Sequence, residues 1–444
     1  MIANVKGLFR SQAALSYKAL APWLYLSIIL LFITPDFRLP GAGARRLDEL
    51  LLAGLLLFLT YLYAQRVPFK VAWGPLQYGL LGFNGFVLLS ILVGALRGYE
   101  ASTTDIFQFI RMAKYLAVYT FAVTVITTSD DPDRTRKNAL HAALWGAFLL
   151  FFVVLQQYFD LFGLNAYYVE YISRTSQSSS LINVQYDKRA LGMVGNPNEL
   201  GFLYVVAALV SAYFMLAAKR FQLRYLLSFA TSITAILMTL SRTSLLALGI
   251  ALLYMLLVMP LSRADEGRVR TRSLLRGFGL LFVLVAATSV LVSNQVVYDD
   301  ILWRFAKLQN FGNDYSFLGR IEAWQENWTL FLTSPWFGLG PLYGREFEFS
   351  ADNEWLLYLR SYGLVGTLYL ILSFIFAHAL SLRSGSSPML PDVRRLIEAT
   401  LIALALYMVP AAAFNSLILM PLVLILVALG DRSVTVFEIR KQEL

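Results

Sequence analysis

The chain contains no cysteine and only two histidines, His141 and His378, among its 444 residues. The first absence excludes a disulfide framework, a thiolate metal site and a cysteine nucleophile. The second leaves too few imidazoles for a histidine-built metal cluster, so no metal and no cofactor are expected. Charge is scarce as well: Asp, Glu, Lys and Arg make up 15% of the residues, against about 25% in an ordinary soluble chain. A soluble enzyme and a disordered protein are both excluded on that ground. The net charge of +9 is informative through its placement along the chain, and no nucleic-acid partner is expected.

Apolar residues fill the space that charge leaves. They make up 58% of the chain and are gathered in runs of roughly 18–25 residues. Such runs match a ~30 Å hydrocarbon layer crossed at about 1.5 Å per helical residue. The expected fold is an all-α integral membrane protein with about twelve transmembrane helices. Hydropathy and breakers place them near 21–34, 47–64, 71–96, 106–128, 138–162, 198–218, 225–240, 243–261, 277–293, 354–380, 396–413 and 415–430. The first and the last two are short. Lys6, Arg10 and Lys18 precede the first run without a small-residue cleavage site, so that run is expected to be retained. The chain then divides into residues 1–293 with nine spans, a large loop at 294–353, and residues 354–444 with three spans and a tail.

Lys and Arg fix the orientation. With the N-terminus inside, the cytoplasmic segments hold 22 of them and the opposite segments 12. The positive-inside rule therefore predicts cytoplasmic termini. Both long loops, 163–197 and 294–353, fall on the outer side. In the second, Leu318, Ile321, Trp324, Trp328 and Phe331 recur at helical spacing, which predicts an amphipathic helix along the outer interface ended by Ser334-Pro335. No internal repeat is visible, so the inverted-repeat signature of many transporters is missing.

Four clusters on the outer side carry polar chemistry. Arg189 precedes Gly195-Asn196-Pro197-Asn198-Glu199-Leu200-Gly201, where Asn-Pro opens a turn and Asn198 is placed to cap the next helix. Ser241-Arg242-Thr243-Ser244 sits in a hairpin with almost no loop. Its arginine reads either as an interfacial snorkel or as a cation aimed at a phosphate. Gly319-Arg320 lies one turn before Trp324, and its arginine reads either as a headgroup-level anchor or as a site residue. Asp352-Asn353-Glu354 opens the tenth span, where capping alone would explain acidic and amide side chains. Taken together, arginines converging on one face would suit a diphosphate, because guanidinium groups pair bidentately with phosphate oxygens. A nearby carboxylate could accept the proton of an attacking hydroxyl. Arg111 and Lys114, three apart on the fourth span, read as secondary candidates for the same cavity or as packing residues. His141 and His378 fall near the cytoplasmic ends of their spans and read as structural.

These motifs, with Pro335, Gly338-Leu339-Gly340 and Gly363-Leu364-Val365-Gly366, resemble the O-antigen ligase and O-antigen polymerase superfamily of bacterial envelope glycosyltransferases. The resemblance is strongest over roughly 185–370. It implies a GT-C-like enzyme of the bacterial inner membrane with a periplasmic active site and no metal. It also implies an undecaprenyl-diphosphate-linked glycan donor. Carried over, Arg242 and Arg320, with Arg189, bind the donor diphosphate, and Asp352 is the catalytic carboxylate. Asn353 and Glu354 are secondary candidates. Asp352-Asn353 stands where ligases have His-Asn, which shifts the expectation toward a polymerase of lipid-linked repeat units for O-antigen, capsule or exopolysaccharide. The alternative is a ligase that passes finished polymer to a lipid A-core sugar. The peptidoglycan-polymerising shape and division proteins fit the motifs less well, and a transporter or flippase without chemistry would place its charges nearer the midplane. The partners implied are the lipid-linked glycan, an acceptor glycan, membrane lipid and a chain-length regulator. Trp324, Trp328, Trp336 and Tyr343 are offered as rings for sugar stacking.

Overall fold

The computed structural model describes residues 20–35, 37–39, 43–45, 69–172, 181, 188–218, 220–261, 277, 279, 315–342, 352–383, 393–411, 413 and 416–439. The span expected at 47–64, nearly all of 277–293, and most of the large loop, including Tyr343, lie outside the described residues. Helices form at α1 (Ala21–Ile33), α2 (Pro75–Leu96), α3 (Thr103–Thr127), α4 (Pro132–Phe159), α5 (Pro197–Ala217) and α6 (Leu223–Met238). They continue with α7 (Arg242–Leu261), α8 (Tyr315–Thr333), α9 (Glu354–Arg383), α10 (Val393–Tyr407) and α11 (Leu419–Gly430). Ten of the expected spans coincide with one of these. By length and composition, α2, α3, α4, α5, α7 and α9 can cross a membrane, whereas α1, α6 and α11 are shorter apolar helices.

A helix that is apolar all round must be enclosed. That helix is α5: 94% of its most apolar window is buried, and it packs against α6, α7, α10 and α4. Small residues permit the approach, since a Cβ on Gly201 would lie 2.5 Å from the Ser244 hydroxyl on α7. The outer helices are instead exposed along one side, as at Leu88, Leu92, Trp145 and Phe152. Exposed apolar rows of this kind on long helices suit a lipid surround.

The structure departs from an all-α reading at four short strands. Strands β1 (Phe37–Leu39) and β2 (Gly43–Arg45) form one antiparallel pair. Strands β3 (Phe69–Trp73) and β4 (Thr435–Ile439) form another, with Val71 opposite Phe437. The second pair ties together two segments that the charge count put on one side. At the same end Tyr119 donates to Asp431, and Arg136 Nε donates to the Leu429 carbonyl at 2.8 Å. Both histidines belong to this end. His141 bonds Tyr225 at 2.9 Å and stacks on Phe214, and His378 lies 3.2 Å from Glu398.

Glu398 also accepts from Arg395 at 2.7 Å and from the Tyr254 hydroxyl, so one carboxylate joins α7, α9 and α10. Glu398→Ala strips three donors of their acceptor. It should cost about 1–3 kcal/mol, read as a lower thermal unfolding midpoint in detergent.

A backbone interlock shapes the opposite half of α9. The helix breaks at Gly363, where φ is 66° and ψ −175°. The chain at 335–340 fills the break. Leu339 and Gly340 N–H groups donate to the carbonyls of Arg360 and Ser361 at 3.0 and 2.9 Å, and Leu364 and Val365 donate to those of Pro335 and Trp336 at 2.8 and 3.1 Å. Buried Arg360 reinforces the joint by donating to Asn327 at 2.9 Å and to the Pro341 carbonyl at 2.7 Å. The segment after α8 is therefore bolted to α9, and Arg97 at the end of α2 donates to the last carbonyl of α8, Thr333.

Candidate functional site

At the end of the bundle away from β3 and β4, the polar motifs meet. Asn196 is the N-cap of α5, accepting from Asn198 N at 2.9 Å, and Pro197 takes the first helical position, where a missing N–H costs nothing. The expected cap at Asn198 is thus displaced by two positions, to Asn196. Asn198 instead accepts from the Arg189 guanidinium at 2.9 Å, while Arg189 Nε donates to the Thr239 carbonyl at 2.8 Å. Arg189 is held between the start of α5 and the end of α6.

The Ser-Arg-Thr-Ser hairpin divides its labour. Ser241 and Ser244 are buried, their hydroxyls 3.0 Å apart, and Ser244 reaches the Asn198 carbonyl at 3.4 Å. The serines serve the turn and the joint to α5. Arg242, half-buried, takes the first position of α7. A cation there opposes the helix dipole, whereas an anion would gain from both the guanidinium and the positive end of that dipole.

Asp352, Asn353 and Glu354 have separate tasks. Asn353 caps α9 by accepting from Leu356 N at 3.1 Å. Glu354 is fully buried; its N–H donates to the Met408 carbonyl at 3.0 Å and its carboxylate accepts from Ala413 N. Asp352 accepts from Arg320 Nε at 3.2 Å, a pair whose side chains remain 42% and 31% exposed. Arg320 and Asp352, 32 positions apart in the chain, are therefore neighbours. Glu199 accepts from the Ser416 hydroxyl at 2.6 Å, and Ser416 in turn receives Leu419 N at 3.1 Å. The 416–418 turn is also where α3 arrives: Tyr115 donates to the Ser416 carbonyl at 3.0 Å and Lys114 to that of Leu417 at 3.4 Å. Lys114 thus borders the site, whereas Arg111 bonds Gln108 of its own helix at 2.8 Å.

One residue at the centre was not among the candidates. Tyr407, the last residue of α10, is wholly buried with its ring 4.7 Å from that of Phe202. Its hydroxyl lies within electrostatic reach of Glu199, Glu354, Asp352 and Arg189 together. It has no hydrogen-bond partner among the described residues. Nothing in the sequence distinguishes it from the 23 other tyrosines. Arg360 and Ser416 also escaped, although a charge inside an apolar run and a polar break near Pro410 were signals available for them.

The amphipathic helix of the loop exists as α8, but its packed face differs from the expected one. Ala323, Asn327, Leu330 and Phe331 are buried, whereas Trp328 is 47% exposed. The reason is Arg360, which draws Asn327 inward; Phe331 stays buried and Trp324 partly so, while Trp328 is turned out. Trp336 is exposed as well. Among the described residues no group of three or more His, Asp or Glu side chains is disposed to hold a metal ion.

Guanidinium groups on separate elements, a carboxylate paired with one of them and an interior lined by further carboxylates can hold a diphosphate and receive a hydroxyl proton. No curated protein matches the chain. Residues 227–371, about a third of the chain, match the family described as O-antigen ligase. That segment carries Arg242, Arg320 and Asp352 and stops short of Arg189 and Tyr407 on either side. Over that segment the chain is similar to the O-antigen ligase family, and the match supports a kinship with the O-antigen ligase and polymerase superfamily.

Proposed function

We propose that this protein polymerises oligosaccharide repeat units carried on undecaprenyl diphosphate, on the periplasmic face of the bacterial inner membrane, to build a cell-surface polysaccharide. The observation that carries the reading is the meeting of Arg320 and Asp352 within the matched segment, at the end of the bundle that also holds Arg189. In the reaction, an acceptor-sugar hydroxyl attacks the anomeric carbon of the lipid-linked chain. The bond from that carbon to the diphosphate oxygen breaks, its electron pair leaves with the diphosphate, and the hydroxyl proton passes to a carboxylate or to solvent. Arg242 and Arg320, with Arg189, stabilise the charge that grows on the leaving group. Asp352 orients the acceptor hydroxyl, and departure of the diphosphate supplies the drive.

Polymerase is preferred to ligase for a reason of placement. The two histidines are tied to Tyr225 and Glu398 at the opposite end, so Asp352 stands alone where ligases have histidine. The test is the glycan profile of cells lacking the gene. Single repeat units on the final anchor, with the long ladder gone, are expected. Full-length polymer stranded on undecaprenyl diphosphate beside bare anchor would instead make the protein a ligase.

A further inference from the structure

A buried hydroxyl without a partner loses its bonds to water and regains nothing, so it weakens the fold. Phenylalanine would fill the Tyr407 site without that cost, keeping the ring against Phe202. The residue nonetheless sits beside the start of α9, since the carbonyl of neighbouring Met408 accepts from Glu354 N–H at 3.0 Å, and the hydroxyl lies within electrostatic reach of Asp352, Glu199, Glu354 and Arg189. Each of the last three already has a bonded partner: Glu199 has Ser416, Glu354 has Ala413 N, and Arg189 has Asn198 and Thr239. Asp352 differs, because its partner is Arg320, a half-exposed arginine that the proposed reaction needs elsewhere.

We infer that Tyr407 is a positioning residue that takes over Asp352 when a lipid diphosphate draws Arg320 away. The inference rests on the proposed function. Before the donor binds, Arg320 holds Asp352 and the Tyr407 hydroxyl waits unpaired. Once phosphate oxygens claim the guanidinium, the carboxylate has lost its donor and turns to the unpartnered phenol of Tyr407. A phenol O–H to a carboxylate is a charge-assisted bond, short and about twice as strong as a neutral one. It leaves Asp352 anchored by one oxygen and open to the acceptor hydroxyl through the other. The exchange couples donor binding to the alignment of the carboxylate. An empty site keeps Asp352 neutralised by Arg320, and a loaded site releases it into working position.

The test is Tyr407→Phe in the full-length protein in detergent or nanodiscs, with three readouts. Undecaprenyl diphosphate binding should stay within twofold of the parent, because the phenol does not touch the lipid. The thermal midpoint should be equal or higher, because an unsatisfied hydroxyl has gone. Turnover of lipid-linked repeat units should fall about ten- to a hundred-fold in kcat with KM little changed. Unchanged kcat would leave Tyr407 a packing residue, and an equal loss in lipid affinity would make it a direct diphosphate contact; either result overturns the exchange. A parent protein that neither binds the lipid diphosphate nor turns over repeat units would sink the proposed function instead, a different result from any change confined to the variant.

Discussion

Arg320→Ala and Arg242→Ala should each lower glycan transfer by about two to three orders of magnitude, the usual effect of removing one group aimed at developing negative charge. The folded protein should survive both changes. Arg320 meets Asp352 in a pair that is 31% and 42% exposed, and exposed ion pairs contribute only about 0–1 kcal/mol. Arg242 occupies the first turn of α7, where its charge runs against the helix dipole, so its removal relieves a small local cost. Lysine should recover little at either position. A lysine supplies the charge as a point, whereas the guanidinium presents paired N–H groups to two phosphate oxygens. The measurement is turnover of lipid-linked repeat units beside thermal unfolding of the same preparations. Full activity in Arg242→Ala, with the protein folded, would remove that residue from the diphosphate site.

Much of this arrangement is written in the chain order of residue types. Pro197 after Asn196 marks the start of α5 because a proline needs no N–H there, and the apolar run that follows is long enough to be a core helix. Arg189, Arg242, Arg320 and Asp352 stood out because charge is rare among apolar runs and therefore conspicuous. The partners of those charges were not legible. Asn198 is equally suited to capping its own helix or holding Arg189, and only the approach of the chain at 189–190 to the end of α6, where Ala190 N–H donates to the Met238 carbonyl and Arg189 Nε to that of Thr239, decides it. Trp324, Trp328 and Phe331 follow a helical period that is real, yet the helix turns by the demand of Arg360 for Asn327, a contact 33 positions away. Tyr407 is the extreme case. Its place depends on how α10 ends against α5 and α9, which no local pattern records. The β3–β4 pair was hidden for a related reason: five-residue strands at distant ends of the chain pair only after the bundle has brought them together.

Gly363→Ala should be among the most damaging methyl additions at the described glycines. At φ 66° and ψ −175° the backbone occupies a region open essentially to glycine alone, and a side chain there costs on the order of 1–3 kcal/mol before any contact is counted. Contact makes it worse. The added Cβ would lie 2.3 Å from the carbonyl carbon of Trp336, and that carbonyl accepts the Val365 N–H that holds the break closed. Gly338 faces the same obstacle from the other side, with Ser361 backbone at 2.3 Å. Neither backbone can yield without opening the four hydrogen bonds that replace the interrupted helix. The expected loss is about 3 kcal/mol or more, seen as a collapse of the thermal midpoint and of folded yield. Gly85→Ala on α2 is the matched control, since nothing lies within 4 Å of its Cβ and alanine is the better helix former. It should leave stability unchanged or raise it by up to about 1 kcal/mol. Activity in the surviving Gly363→Ala protein should also fall, because the interlock fixes how α8 lies on α9 and so how far Arg320 stands from Asp352. A Gly363→Ala protein with parental stability would mean that α9 runs unbroken, and the spacing of that pair would then need another cause.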